Sequence, residues 1–376
     1  MRKIRCVIMR GGTSKAVVLH ERDIPADPAE RKEIILKIFG SPDVRQIDGL
    51  GGADPLTSKC AVIGPSTVKD ADVNYTFYQV GTDRPIVEEG MCGNISSVAG
   101  PFAIDEGLVK AVEPITVVRI YNPRSKKIFN AQVPVKDGKA ATEGDYKIDG
   151  VPGTGAKIVL DWRNLGGGKT GDLLPTGNAK DELHVEGVGD LTVSIVYGAS
   201  PVVFVNAEEL GLKGTENSDE VDSNPDLLNR LEAIRGTAGV RLKYIKDWRK
   251  SREESPVDPF VAFVSRPTQY ITFTGEKIEA ADIDIVARMM FMQQLHKTYP
   301  ASGSLCTGIA AVLEGTLVND FAAPTLSKDH RVRIGHPGGV MEVESAVRKE
   351  GNKYIIEISR TGRTARRIME GFVYIK

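Results

Sequence analysis

Cysteine and tryptophan are scarce in this 376-residue chain, and no apolar run reaches the roughly 20 residues that a membrane helix needs. The four cysteines, Cys6, Cys60, Cys92 and Cys306, lie far apart and show no Cys-x-x-Cys or Cys/His ligand spacing. That excludes a disulfide scaffold and gives no reason to expect a metal; reduced thiols in the cytoplasm are the simplest expectation. The apolar run Cys6–Met9 is short and flanked by Arg5 and Arg10, which argues against a secretory signal. A charge excess is missing too. With 49 basic against 50 acidic residues the net charge is −1, so the basic surface of a nucleic-acid binder is excluded. The densest basic cluster, Arg360, Arg363, Arg366 and Arg367, reads as a solvated face or a carboxylate anchor.

What is present is a β-rich pattern with few long helices. The length implies two domains. Strands are expected at Cys6–Met9, Ala16–Leu19, Cys60–Ile63, Tyr75–Val80, Thr116–Tyr121, Leu191–Val196, Val202–Val205, Arg331–Ile334, Met341–Val343 and Tyr354–Ile358. Helices are expected from about Ala29 to Phe39, stopped by Gly40, and from Pro225 to about Ile234. The apolar stretch Ile283–His296 reads as a long buried helix, with Pro300 barring any continuation. The order is α+β rather than a repeating βαβ series. The turn-rich segment Thr176–Gly189 places the boundary between domains 1–182 and 183–376, with a last strand free to return to the first. Gly166-Gly167-Gly168-Lys169-Thr170 imitates a phosphate loop, but the required earlier glycine is Arg163 and no apolar helix follows. Nor is there a dinucleotide, Gly-x-Ser-x-Gly or His-Glu-x-x-His motif.

The segments able to do chemistry are small and glycine-rich. Arg10-Gly11-Gly12-Thr13-Ser14-Lys15 and Asp48-Gly49-Leu50-Gly51-Gly52-Ala53-Asp54-Pro55-Leu56-Thr57-Ser58-Lys59 are loops whose backbone can approach a ligand closely. Lys59 ends the second of these at a strand start, where its side chain can bind a carboxylate, stabilise an enolate or, with its pKa lowered by desolvation, serve as a base; a surface lysine is the plainer reading. Cys92-Gly93-Asn94 opens a small-residue helix. Unpaired N–H groups and the positive end of the helix dipole there favour a thiolate and can hold a substrate carboxylate. Most free cysteines, however, are simply small buried hydrophobes. His296-Lys297 would close the long helix as charges complementary to its dipole, and His336 lies in a turn between strands. Met91–Ala99 is echoed by Leu305–Val312, each a cysteine-containing turn entering a helix, which suggests two pseudo-symmetric halves facing each other across a cleft.

Arg10–Lys15, Gly51–Lys59, Cys92-Gly93-Asn94, Leu295-His296-Lys297, Cys306-Thr307-Gly308, Ile334–Pro337 and Arg363–Met369 occur together and in this order. The whole chain thereby resembles the PrpF-type isomerases, which act as 2-methylaconitate isomerase, 3-methylitaconate Δ-isomerase and 4-oxalomesaconate tautomerase. The resemblance implies a diaminopimelate-epimerase-like α+β fold, with two similar domains, each a sheet wrapped around a central helix, and an active site in the cleft between them. It implies catalysis by Cys92 and Lys59. It implies substrate binding by Ser14, Gly51, Gly52, Gly93, Asn94, His296, Lys297, the Thr307-Gly308 helix start and His336. No cofactor and no metal is called for, and the partner is a small polycarboxylate, not nucleic acid or membrane; a homo-oligomer stays open. The second thiol of the two-thiol epimerases falls at Leu305, with Cys306 where glycine is usual. One thiol suits a 1,3-proton shift. The rival readings are a racemase in which Cys306 supplies the second thiol after a one-residue shift, and a carboxylate-binding protein without catalysis.

Overall fold

In the computed structural model, which describes residues 1–168, 171–322, 330–351 and 353–376, the chain divides into two compact units. The first comprises residues 1–161 and 362–376, the second residues 162–361. Lys169 and Thr170 of the glycine-rich loop lie outside the described residues. The first junction falls at Asp161/Trp162 rather than at 182/183. The turn-rich stretch after it resembles a linker in composition, yet it is stitched into the second unit. Ser194 Oγ donates to the carbonyl of Ala179, and Asp181–Val185 pairs as a strand with the one that begins at Gly189.

In the first unit, β1 (Arg2–Gly11), β2 (Ser14–His20), β3 (Lys59–Pro65) and β4 (Val73–Val80) form a continuous run. The far edge of β4 is shared by β5 (Val87–Gly90) and β6 (Ile115–Asn122), and β7 (Lys127–Lys136) and β8 (Ile158–Asp161) extend the sheet. α1 (Pro28–Phe39) starts where Asp27 caps the amides of Ala29 and Glu30, and ends at Gly40 in the left-handed conformation. Its Ile34, Ile35, Ile38 and Phe39 pack with Cys6, Val17, Cys60, Val62 and Tyr78 on one face of the sheet. Alternation along a strand then turns Lys59, Phe77 and Gln79 to the opposite face. That face curls around α2 (Gly93–Asp105), which touches β1, β2, β3, β4, β6 and β7 and is buried up to its last residue.

The second unit repeats the device. Strands β9 (Asp181–Val185), β10 (Gly189–Tyr197), β11 (Pro201–Asn206) and β12 (Phe260–Ser265) lead to β13 (Ile285–Phe291), which forms a short hairpin with β14 (Gln294–Leu295). α3 (Pro225–Arg241) packs with Leu227, Leu231 and Ile234 on one face. The buried α4 (Ala301–Val312) lies on the other, against β15 (Arg331–His336) and β16 (Gly339–Glu350). β17 (Lys353–Arg363) pairs with β16, and β18 (Ala365–Ile375) pairs along β1 in the first unit. No described helix is long and apolar enough to cross a membrane.

The expected helix over Ile283–His296 is instead the hairpin β13–β14. Ile285, Ala287 and Met289 join the α4 core, whereas Met290 and Leu295 join the α3 core. A strand covered on both faces reads as a continuous apolar run, and such a run carries no period to distinguish it from a buried helix.

Glu106, just past α2, is held by Arg5 (2.6 Å) and Arg367 (2.8 Å), tying helix, β1 and β18 together. Burial pushes its carboxyl up, but these hydrogen bonds and charges prevail and hold it at about 2, below its ordinary 4.5. A depressed carboxyl stabilises the fold above pH 4.5, and that contribution is lost as pH falls towards 2. Glu106→Gln is therefore expected to be about 1–2 kcal/mol less stable at pH 7. In urea unfolding the gap to the parent should close between pH 4.5 and 2; a gap undiminished at the acid end would contradict this.

Candidate active site

Cys92 is the N-cap of α2, extended at φ −132°, and makes no side-chain capping hydrogen bond. Its carbonyl accepts from the Ser96 N–H and hydroxyl, both at 2.8 Å, which fixes the turn and leaves the thiol partly exposed. The first amides of α2 are thus uncapped by Cys92, beside the thiol and at the positive end of the dipole.

The Gly11–Ser14 turn between β1 and β2 rests on this helix start. A side chain on Gly11 would meet the Asn94 carbonyl at 2.6 Å. A side chain on Gly12, at φ +51°, would run into Asn94 Oδ1. Asn94 Nδ2 donates to Thr13 Oγ1 at 3.1 Å. Asn94 Oδ1 accepts from Arg363 Nε at 3.1 Å, so the chain's final segment closes the site. Burial lowers the Arg363 guanidinium to about 10, while the charges of Tyr146 and Cys92 pull the other way; it stays a cation at neutral pH within reach of the thiol's field. Ser14 Oγ is buried and makes no hydrogen bond. An orphaned hydroxyl carries a desolvation cost that a ligand can relieve. Ser14→Ala is accordingly expected to raise KM about 5–10-fold while leaving the melting temperature equal or higher. A clear loss of stability would mark the hydroxyl as structural.

Lys59 is 3% exposed at the start of β3, and its Nζ donates to Gln79 Oε1 at 2.7 Å. Burial lowers its pKa, opposed by the charges of Cys92 and Asp54, so it shares the thiol's electrostatic neighbourhood. Tyr75, whose hydroxyl approaches the Cys92 carbonyl at 3.5 Å, is raised well above 10 by burial and then by the Cys92 charge, and stays neutral. The glycines of the preceding loop have packing reasons. Gly51 faces Gln46 and its N–H donates to Phe39; Gly52 faces Thr57.

In the second unit the expectations change more. Thr307 and Gly308 are not a helix start but the interior of α4, whose N-cap is Pro300. Thr307 Oγ1 donates to the Gly303 carbonyl, and Gly308 lies where a side chain would meet Val343 and Ser345 at 2.5 Å. Gly100 has the same place in α2, against Val133 at 2.6 Å. Both glycines stand eight residues past their N-caps, so the counterpart of Cys92 is Pro300, and Cys306 was matched out of register. Cys306 is 0% exposed, its thiol donates to the Val196 carbonyl at 3.2 Å, and burial pushes it up to about 12. A second catalytic thiol at Cys306 is thereby overturned. His296 and Lys297 follow the β13–β14 hairpin rather than closing a helix. The Lys297 side chain is exposed, and His296 is buried with Nδ1 accepting from Thr298 N–H at 3.1 Å. His336 Nδ1 likewise accepts from Gly338 N–H at 3.1 Å, and its ring stacks on Tyr299. Both imidazoles therefore carry their neutral-state proton on Nε2. Among the described residues no cluster of His, Cys, Asp or Glu could hold a metal ion.

Gln79 was invisible in the sequence because only strand pairing sets it opposite Lys59. Arg363 was noticed as one of four arginines, and the fold alone separates it from the exposed Arg366 and the Glu106-bound Arg367.

Sheets curled around buried helices, one of them with a cysteine at its N-cap, make the fold diaminopimelate-epimerase-like. The crystal structure of a hydroxyproline epimerase from Agrobacterium vitis shares the fold, with a TM-score of 0.57 at 13% identity over 99% of this chain and 92% of that one. More narrowly, the chain belongs to the PrpF family, whose model, described as PrpF protein, matches residues 1–376. It is 52% identical to the 3-methylitaconate isomerase of Eubacterium barkeri, over 100% of this chain and 97% of that one. It is 36% identical to the 2-methyl-aconitate isomerase of Shewanella oneidensis (99% and 97% covered) and 37% identical to the 4-oxalomesaconate tautomerase of Pseudomonas putida (99% and 96%). The crystal structure of a methylitaconate-delta-isomerase matches with a TM-score of 0.84 at 50% identity, covering 100% of this chain and 96% of that one.

Proposed function

We propose that this chain is a cofactor-independent isomerase that shifts a double bond by a 1,3-allylic proton transfer on a small unsaturated di- or tricarboxylic acid. Its relatives are named for 3-methylitaconate, 2-methylaconitate and 4-oxalomesaconate, which supports that substrate class. The observation that carries the chemistry is a partly exposed thiol at the uncapped start of α2, sharing its electrostatic surroundings with buried Lys59 and Arg363.

Cys92, as thiolate, takes the proton from the carbon alpha to a carboxylate. The C–H electron pair moves into the allylic system, and the negative charge spreads over a dienolate. The Lys59 ammonium and the α2 amides stabilise that charge, with Gly93 admitting the carboxylate close to the helix start. The same thiol returns its proton at the gamma carbon, so no second base is required. Ser14 and Arg363 are the proposed carboxylate ligands in this unit; His296, Lys297 and His336 are proposed for the other. The four free thiols fit the cytoplasm as the proposed compartment.

Incubation with 3-methylitaconate, 2-methylaconitate or 4-oxalomesaconate in D₂O, followed by proton NMR, tests the reading. Deuterium should enter the allylic positions of one acid as its isomer accumulates. Tight binding of all three without exchange would instead make the protein a carboxylate binder.

A further inference from the structure

The side chain that holds Lys59 is itself held at every polar atom. Gln79 is buried, and its Nε2 donates to two carbonyls, those of Pro55 and Ser58, each at 3.0 Å. With both N–H bonds committed, the amide cannot be turned over, and Oε1 is the atom that must face Lys59 Nζ at 2.7 Å. The sheet enforces the same meeting. Lys59 and Gln79 are directly opposed on β3 and β4, and Glu88 stands opposite Gln79 on β5. The carbonyls that clamp Gln79 belong to the glycine-rich loop, which is tied to β2 through Lys15 N–H and the Leu56 carbonyl.

We propose that Gln79 is a positioning residue for the proton shift, presenting a fixed amide oxygen that keeps Lys59 an aimed ammonium; this rests on the role given to Lys59 under Proposed function. Burial alone drives Lys59 towards the neutral amine, and the charges of Cys92 and Asp54 oppose that drift. The Phe77 ring lies 5.4 Å from Nζ and also favours a cation. A neutral acceptor adds a charge-assisted hydrogen bond to the ammonium. Unlike a carboxylate, it leaves the positive charge uncancelled for an anionic intermediate and does not repel a polyanionic substrate.

The pH profile of kcat/KM for 3-methylitaconate, measured with Gln79→Met and Gln79→Glu, tests the proposal, with melting curves taken alongside. In Gln79→Met the alkaline limb should move about one pH unit lower, because the ammonium has lost the Gln79 oxygen. In Gln79→Glu the limb should move upward while KM rises several-fold. A limb unmoved in a folded Gln79→Met overturns the proposal, whether or not activity falls, because a purely structural amide would change rates without moving the limb. Failure of both variants to fold overturns it as well, since the amide would then serve the fold. A parent that exchanges no proton removes the isomerase reading and this role together; a parent that exchanges while the limb stays fixed removes only the role of Gln79.

Discussion

Cys92→Ser is expected to lower kcat/KM by about 10²–10⁴-fold, the usual contribution of a positioned acid–base group. The substitution is informative because it should not harm the fold. Cys92 sits at the N-cap of α2 without capping it, and serine is among the residues best suited to that position. The hydroxyl can accept from an amide of the first turn, so the variant should melt at or above the parent temperature. It is nevertheless far too weak an acid to be present as an anion near neutral pH, and it would occupy amides otherwise open to a substrate carboxylate. Activity lost from an equally stable protein assigns the thiol to the chemistry. Deuterium exchange at the parent rate in Cys92→Ser would remove Cys92 as the base.

Lys59→Met should cost about 10²–10³-fold in kcat, corresponding to ~3 kcal/mol of electrostatic stabilisation lost from the dienolate. Here too the fold and the reaction separate. The methionine side chain fits beside Phe77, and it removes a cation whose burial already disfavours the charged form. The hydrogen bond to Gln79 is lost with it, at a cost of about 1–3 kcal/mol. A large fall in kcat with a small change in melting temperature is therefore the expected pattern. If Lys59→Met keeps parent-like kcat and changes only KM, the ammonium binds substrate without stabilising the intermediate.

Much of the first unit was legible before any coordinates. Short apolar runs placed β1 to β4, Gly40 ended α1, and the glycines before Ser14 marked a turn that needs close backbone approach. The second unit was less so. Ile283–His296 lacks a period because β13 is covered on both faces, and the resulting false helix carried His296 and Lys297 with it. Cys306 attracted a functional reading because its neighbours copy those of Cys92. The real correspondence runs through Gly100 and Gly308, where two helices touch their sheets, and that contact leaves no mark on the residues around a cysteine.

Sequence alone determined the family, the strand-rich α+β character, and the candidacy of Cys92, Lys59 and Ser14, because these depend on local residue order and on motifs kept in one succession. Tertiary structure decided which of the like residues differ. It buried Arg363 against Asn94 while leaving Arg366 in solvent, and it set the Gln79 oxygen on Lys59. It also sealed Cys306 inside a helix while opening Cys92 at the start of one. The reason is that burial, field and hydrogen-bond partners come from strands and helices distant in sequence, and a residue's neighbours along the chain do not specify them.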